Sequence, residues 1–462
     1  MSDRLVHTET DVQGLSTAIL LPSMDLFGSP IRSAVPPLTQ VVGIGLFQRT
    51  VLTLQRAGIR QLIVLSGSDE DQLKVALTKG PRVTIPVRWM PLREFPVDDP
   101  RTWEALGAEV RGFCLLSGVG GVFSRPLIEQ LRQDVQEGEA IVVAHRSGAS
   151  PDGKANMNVL LSNQEEELAD VVVLPCELLD AASLVSIDAG MVPVRRWLQE
   201  ASRNGRVRIL TTDANAGRWY QEIRNPADLQ TAERKLFLSL KSEFEGFIDR
   251  YFNRKLSRWF TRIFLMLGLS PNSITMVATI IGLLAAAEFA SGSYGAGLLG
   301  AALFQLSAVI DCCDGEVARL TFTESPFGAW LDMAMDNVVH LAIFGGIAWG
   351  LYLSMAGATH DWVPLALGAT AILGNVLSFV SVNRAQGIKA SSGWRTARHA
   401  AWAEFMLKNV ASRDFSVAVF LFALFGVLEL FLWIAAAGSL AFAMSMLWII
   451  RPSARSEPAQ RG

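Results

Sequence analysis

The feature that most constrains the fold of this chain is a series of long apolar segments in its second half. Six stretches are each apolar enough to form about 20 residues of helix, the length that crosses the hydrocarbon core of a bilayer. A spanning segment must satisfy its own backbone hydrogen bonds, so we expect a bundle of six transmembrane helices. The predicted spans are 273–290, 296–318, 331–354, 363–384, 414–430 and 432–450.

Composition indicates that the 462-residue chain also contains a soluble part. Its mean hydropathy of +0.30 is high for a soluble protein, whereas 18% charged residues is high for a chain that lies in the membrane throughout. We predict a soluble domain over 1–232, an interfacial hinge over 233–272, the membrane domain over 273–450 and a cytoplasmic tail over 451–462. The net charge of −3 gives no reason to expect a nucleic-acid partner.

The distribution of Lys and Arg predicts the orientation of the bundle. The turns after the first, third and fifth spans contain neither residue, whereas the loop 384–413 and the tail 451–462 contain several. The positive-inside rule then places both termini in the cytoplasm of a multi-pass protein of the cell membrane. It also places the turn between the second and third spans on the cytoplasmic side.

The hinge has the pattern of a basic amphipathic helix. Aromatic residues such as Phe247, Tyr251 and Trp259 alternate there with Arg250, Arg258 and other cations. Such a helix lies naturally among lipid headgroups, so membrane lipid is an expected partner. The alternative is a basic helix that packs on the soluble domain.

Four aspartates interrupt the apolar sequence around the turn between the second and third spans. Asp311 and Asp314 are three residues apart, and Asp332 and Asp336 are four apart, so each pair shares one helix face. Two such helices can direct all four carboxylates into one pocket, where they would repel each other unless divalent cations lay between them. Oxygen ligands of this kind suit Mg²⁺, Mn²⁺ or Ca²⁺. The alternative is a set of helix-end charges at the membrane surface.

The same segment resembles a known signature. The pattern D-x2-D-G-x2-A-R-x8-G-x3-D-x3-D runs without departure from Asp311 to Asp336. It is the signature of the CDP-alcohol phosphotransferase family of integral membrane enzymes, and the resemblance covers roughly 240–450. The resemblance implies a six-helix membrane domain that transfers a phospho-alcohol from a CDP-linked donor to a hydroxyl acceptor and releases CMP.

The resemblance also implies roles for particular residues. Asp311, Asp314 and Asp332 would bind Mg²⁺ or Mn²⁺ as two ions, with Asp336 nearby as a further ligand and as the general base. Small residues would let the nucleotide lie close to the helix, and Arg319 would bind a phosphate. The alternative for the small residues is simple helix packing, and the alternative for Arg319 is a positively charged anchor at the membrane surface. The predicted nucleotide contacts are Asn272, Thr275, Gly315, Ala318, Arg319, Ser325 and Gly328.

The acceptor is less constrained. The predicted cytoplasmic loop contains a set of basic residues that could bind a polyol phosphate acceptor. An equal alternative is that these residues are ordinary positive-inside charges. They are Lys389, Arg395, Arg398 and Arg413. We expect His340, one turn beyond Asp336, to be a packed and hydrogen-bonded residue rather than a ligand. The family resemblance makes a homodimer plausible.

The first 232 residues alternate short apolar runs with amphipathic stretches such as Gly45–Ala57 and Ser124–Arg132, which predicts an α/β domain with a parallel sheet covered on both faces. The predicted strands are Thr17–Leu21, Gln61–Leu65, Val83–Val87, Gly112–Leu116, Ala140–Ala144, Val171–Leu174 and Arg208–Thr211.

The order of these elements is similar to that of nucleotidyltransferase domains that make CDP- or other NDP-activated sugars and polyols. The phosphate-binding loop of that family is represented only by Gly28 and Arg32, and Pro37 stands at the lysine position. The middle strand ends without the metal-binding aspartate, and Glu222 and Arg224 replace acidic residues late in the domain. We therefore interpret the domain as degenerate. The alternatives are a bifunctional enzyme that also makes its CDP-polyol, and a membrane scaffold in which both sites are inactive.

Overall fold

A computed structural model describes residues 14–24, 26–27, 36–136, 138–144, 168–179, 192–213, 215–240, 254–355, 362–391 and 414–450. The chain divides into two compact units, Met1–Ser239 and Leu240–Gly462. The first is an α/β domain and the second is helical, which confirms the predicted fold class. Each unit has its own apolar core.

The first unit is built around a seven-stranded sheet with the strand order β10-β8-β9-β6-β1-β4-β5. β1, β6, β8 and β9 are buried along their whole length, so the middle of the sheet is covered on both faces. The strands of the sheet are β1 (Thr17–Leu21), β4 (Gln61–Ser66), β5 (Val87–Pro91), β6 (Phe113–Gly118), β8 (Ala140–Ala144), β9 (Leu168–Pro175) and β10 (Val207–Thr211). Short two-stranded pairings join β2 (Gln40–Val41) to β3 (Ile44–Gly45) and β7 (Gly121–Phe123) to β11 (Tyr220–Glu222).

Helices pack around this sheet. They are α1 (Leu46–Arg56), α2 (Glu70–Thr78), α3 (Pro100–Glu109), α4 (Arg125–Asp134), α5 (Val194–Arg203) and α6 (Pro226–Ser239). On α3, Trp103 is fully buried and meets Trp197 of α5 edge to face, with ring centroids 4.9 Å apart. Aromatic pairs in this geometry stabilise a core beyond their area alone.

The prediction of an entirely parallel sheet is wrong, because β9 runs antiparallel to both β6 and β8. A strand that is buried on both faces reads as a continuous apolar run in either direction, so the sequence does not reveal its polarity. The strand predicted at Val83–Val87 is also wrong in position, since β5 occupies Val87–Pro91. Pro86 cannot donate to a sheet ladder, and the strand begins after it.

The second unit contains seven described helices, and five of them are long and apolar enough to cross a membrane. Helices of this length and composition are those of an integral membrane protein. The helices are α7 (Arg254–Met266), α8 (Pro271–Ala290), α9 (Tyr294–Thr321), α10 (Pro326–Ser354), α11 (Val363–Ser391), α12 (Asp414–Leu424) and α13 (Leu428–Ile450).

The predicted fifth span, 414–430, is shorter in the structure. α12 ends at Leu424, Gly426 adopts φ 68°, and α13 starts at Leu428. Eleven helical residues extend only about 17 Å, which is less than the ~30 Å of a bilayer core. The count of six predicted spans therefore becomes five long helices and one short apolar helix among the described residues.

Glycines allow α8 and α10 to approach closely. A Cβ on Gly346 would lie 2.3 Å from the carbonyl oxygen of Ala286, and one on Gly350 would lie 2.1 Å from that of Phe289. Small residues at helix crossings are the usual basis of close packing in membrane proteins. This contact fixes the first and third spans against each other.

Candidate metal centre

Three carboxylates, two from α9 and one from α10, converge between the two helices. Asp311 and Asp314 on α9 are both 6% exposed, and Asp332 on α10 is partly buried. Each residue offers one carboxylate oxygen, and these three oxygens lie within 4.8 Å of one another. This separation and this set of hard oxygen donors fit a divalent metal ion.

A short turn brings the two helices together. Phe322 ends α9 in the left-handed conformation, with φ 58°, and Ser325 caps α10 by accepting a hydrogen bond of 2.9 Å from the Gly328 amide. Pro326 occupies the first turn of α10, where its missing N–H has no cost. The aspartates of both helices therefore lie on either side of one turn, as their spacing predicts.

The start of α8 contacts this centre. The Thr275 hydroxyl donates to the Asp314 carboxylate, and the Thr275 side chain is 2% exposed. A Cβ on Gly328 would lie 3.0 Å from the Ser325 Oγ and 3.3 Å from the Asn272 Oδ1. The structure thus brings Asn272, Thr275, Ser325 and Gly328 together beside the carboxylates.

The remaining predicted nucleotide contacts lie along α9. Gly315 and Ala318 are partly exposed and Arg319 is exposed. The Arg319 guanidinium lies over Gly315, where an added Cβ would come within 3.3 Å of its terminal nitrogen. A cation beside small residues provides space and charge for a phosphate group.

Among the described residues, the group of three carboxylates does not include Asp336, which lies one turn after Asp332 on α10. Its predicted roles as metal ligand and general base remain predictions. His340 is hydrogen-bonded to the Asp336 backbone and packs edge to face on Phe304 and Phe415, with ring centroids 5.9 and 5.3 Å away. His340 is therefore packed and hydrogen-bonded, as we expected from the sequence.

The amphipathic helix and the basic loop are described only in part. In α7, Trp259 is 57% exposed whereas Ser257 and Thr261 are fully buried. Phe247, Tyr251, Arg250 and the basic residues Arg395, Arg398 and Arg413 lie outside the described residues, as does the side chain of Lys389.

The nucleotide-binding edge of the α/β sheet was expected to be degenerate. At the end of β6, a Cβ on Gly118 would lie 1.7 Å from the Asp170 Oδ2. Asp170, on β9, also accepts a 2.8 Å hydrogen bond from the Leu26 amide, while Arg195 donates to the Phe27 carbonyl at 2.7 Å. Leu26 and Phe27 are therefore held to β9 and α5. Gly28 and Arg32 lie outside the described residues.

Glu222, the acidic residue late in this domain, is also hydrogen-bonded. Arg224 donates from its Nε to the Glu222 carboxylate at 2.7 Å. Sequence reasoning missed the buried Asp170, although a single acid within the apolar strand Leu168–Pro175 was a signal for it. It also missed Glu316, which occupies an unspecified position of the signature and is 2% exposed.

The helical unit thus combines long apolar helices with converging carboxylates, small residues and an arginine, a set of groups suited to a phosphate-containing ligand. Residues 268–444 match the CDP-alcohol phosphatidyltransferase family. The match lies within the helical unit and includes the whole signature from Asp311 to Asp336.

Two relatives of the chain have names with two activities. The chain is 26% identical over 371 residues to "Bifunctional IPC transferase and DIPP synthase" of Rubrobacter xylanophilus, a match that covers 76% of this chain and 80% of the relative. It is 29% identical over 218 residues to the protein of the same name from Aquifex aeolicus, which covers 46% of this chain. That match spans about half of the Aquifex relative, 47% of its length.

Among solved structures, the chain is similar to the inositol-1-phosphate CTP transferase from T. maritima. The match covers 48% of this chain and 96% of that structure, with 14% identity and a TM-score of 0.34. A putative glucose-1-phosphate thymidylyltransferase from Bacillus anthracis matches with 12% identity and a TM-score of 0.35.

Proposed function

We propose that this protein is an integral membrane CDP-alcohol phosphotransferase. It moves a phospho-alcohol from a CDP-linked donor to a hydroxyl acceptor and releases CMP. The observation that carries this proposal is the convergence of Asp311, Asp314 and Asp332 within the region that matches the family. We place the site on the cytoplasmic side of the cell membrane, where water-soluble substrates reach it.

The donor site follows from the residues around the carboxylates. Asp311, Asp314 and Asp332 would hold Mg²⁺ or Mn²⁺, as one or two ions, with Asp336 as a further ligand. When bound, the metal neutralises the charge of the donor diphosphate. Arg319 binds a phosphate oxygen, and Gly315 leaves space for the nucleotide beside α9.

The transfer step is a displacement at phosphorus. The acceptor oxygen forms a bond to the phosphorus that carries the alcohol, and the anhydride bond from that phosphorus to CMP breaks. Asp336 takes the proton of the acceptor hydroxyl; it is a partly exposed carboxylate one turn after Asp332 on α10. CMP leaves with the electron pair of the broken bond.

We propose a polyol phosphate as the acceptor class. The basic set from Lys389 to Arg413 provides cations for an acceptor phosphate, and "DIPP synthase" is part of the name of both relatives. Membrane lipid and a second copy of the chain are further proposed partners.

The test is release of CMP by the purified protein in detergent with Mg²⁺ and a panel of radiolabelled CDP-alcohols. Each donor is paired with inositol phosphate, glycerol phosphate or no acceptor. We expect CMP from at least one pair and none from Asp332→Asn, while Glu288→Gln, a carboxylate change at the other end of α8, retains activity. No CMP from any pair would contradict the proposal and favour an inactive scaffold.

A second candidate function is formation of the CDP-polyol by the α/β domain, which the bifunctional names of the relatives favour. We propose instead that this domain has no such activity, because β6 ends at Gly118 without an acidic residue and Asp170 of β9 is already engaged by the Leu26 amide. The full chain carrying Asp336→Asn, given CTP and polyol phosphates, tests this point. We expect no pyrophosphate, and clear release would establish the bifunctional alternative.

A further inference from the structure

A fifth carboxylate, Glu316, lies within the signature segment but faces away from the metal centre. At about 100° per residue, Glu316 is separated from Asp314 by about 200° around α9. It is 2% exposed and sits two residues after a predicted metal ligand. One stretch of helix thus presents acids on two nearly opposite faces.

The second face is bound by α7. Ser257 donates to one Glu316 oxygen at 2.9 Å, and Thr261 donates to the other at 2.8 Å. The two hydroxyl residues are four apart, so they lie on one face of α7, and both are fully buried. A buried carboxylate is costly unless each oxygen has a donor, and here each has one. We refer to Glu316, Ser257 and Thr261 as the Glu316 cluster.

Apolar side chains extend the contact between α7 and α9, which we call the seam. Phe264, about one turn after Thr261, packs with Ile310, Cys313 and Val317 of α9. The Cys313 thiol also contacts the Ser257 carbonyl oxygen at 3.4 Å. A rotation or shift of α9 would separate both the apolar and the polar partners, so the seam fixes the rotation of α9 about its own axis.

We propose that Glu316 is a positioning residue for the metal centre. By holding α9 to α7 it directs Asp311 and Asp314 toward Asp332. The orientation matters because a metal site requires its ligands within a few tenths of an ångström of their productive positions. This inference deepens the proposed function and rests on it for the identity of the reaction, but not for the binding of the ion.

The readout is Mn²⁺ affinity, measured by electron paramagnetic resonance on the full-length protein in detergent without substrate. We expect Glu316→Ala to weaken Mn²⁺ binding roughly tenfold or more, the usual effect of removing a residue that orients metal ligands. Glu316→Gln, which keeps an acceptor oxygen, should recover most of the affinity. Glu288→Ala is the matched control and should bind Mn²⁺ like the unchanged protein.

A second variant separates positioning from general loss of structure. Ser257→Ala with Thr261→Val keeps Glu316 but removes its two donors, and we expect the same loss of Mn²⁺ affinity as for Glu316→Ala. If Glu316→Ala does not fold, this double variant and Glu316→Gln decide the question. Unchanged Mn²⁺ affinity in the folded variants would overturn the positioning role.

The proposed function can fail without affecting this test. If the unchanged protein turns over no CDP-alcohol yet binds Mn²⁺, the comparison of affinities still decides the role of Glu316. If turnover is observed, the Mn²⁺ concentration for half-maximal CMP release should rise in Glu316→Ala by about the same factor as the dissociation constant.

Discussion

The Thr275 hydroxyl on α8 donates to the Asp314 carboxylate on α9. Thr275 lies one turn after Pro271, the residue that begins the first span, so this bond joins the entry of α8 to the metal centre. Both side chains are buried, at 2% and 6% exposure. The hydrogen bond therefore orients Asp314 in a place where water is scarce.

This bond leads to a prediction for Thr275→Val, which keeps the shape of the side chain and removes the hydroxyl. We expect the Mg²⁺ concentration for half-maximal CMP release to rise roughly tenfold, because a ligand loses the donor that orients it. Thr275→Ser retains the hydroxyl and should stay within about threefold, a small part of that effect. An unchanged metal requirement in the valine variant would show that Asp314 does not need this bond.

Substitutions at Asp332 and Asp336 should have different effects on Mn²⁺ binding and on CMP release. Asp332→Asn changes a member of the converging group, so both Mn²⁺ binding and CMP release should be lost. Asp336→Asn should lower CMP release by about 10²- to 10⁴-fold, the usual contribution of a general base. Its Mn²⁺ affinity should fall much less, as measured by electron paramagnetic resonance without substrate. A loss of Mn²⁺ affinity as large as that of Asp332→Asn would contradict this division of roles.

Metal removal should affect stability as well as activity. Three carboxylates whose oxygens lie within 4.8 Å repel each other, and a cation that binds only the folded state adds about 2.7 kcal/mol when present at 100 times its dissociation constant. We expect EDTA to lower the thermal midpoint in detergent and to stop CMP release, and Mg²⁺ or Mn²⁺ to restore both. Asp311→Asn should show no such shift on metal addition, whereas a shift equal to that of the unchanged protein would place the ion elsewhere.

Gly346 offers a test of the helix packing below the site. Gly346→Ala would place a Cβ 2.3 Å from the Ala286 carbonyl oxygen and force α8 and α10 apart, at a cost of about 1–3 kcal/mol. The neighbouring Gly345 has nothing within 4 Å of such a Cβ, so Gly345→Ala is a matched control. Thermal unfolding in detergent should separate the two variants by several degrees, and equal midpoints would contradict the close approach.

Sequence reasoning predicted those parts of the structure that depend on local patterns. Helix periodicity and the predicted turn between the second and third spans were enough to place Asp311, Asp314 and Asp332 on facing helices. Apolar runs gave β1 and β8 with their observed boundaries. The direction of β9 and the end of α12 at Leu424 were missed, because a doubly buried strand and a short apolar helix carry no distinctive period.

The sequence by itself determined that the second half forms a membrane bundle and that its aspartates share helix faces, since hydropathy and a 3.6-residue period are local properties. Only the tertiary structure decided which carboxylates converge and which groups hold them. Thr275 is 39 residues from Asp314, and Ser257 is 59 residues from Glu316. Contacts at such separations depend on how helices pack against each other, and no spacing along a single helix encodes them.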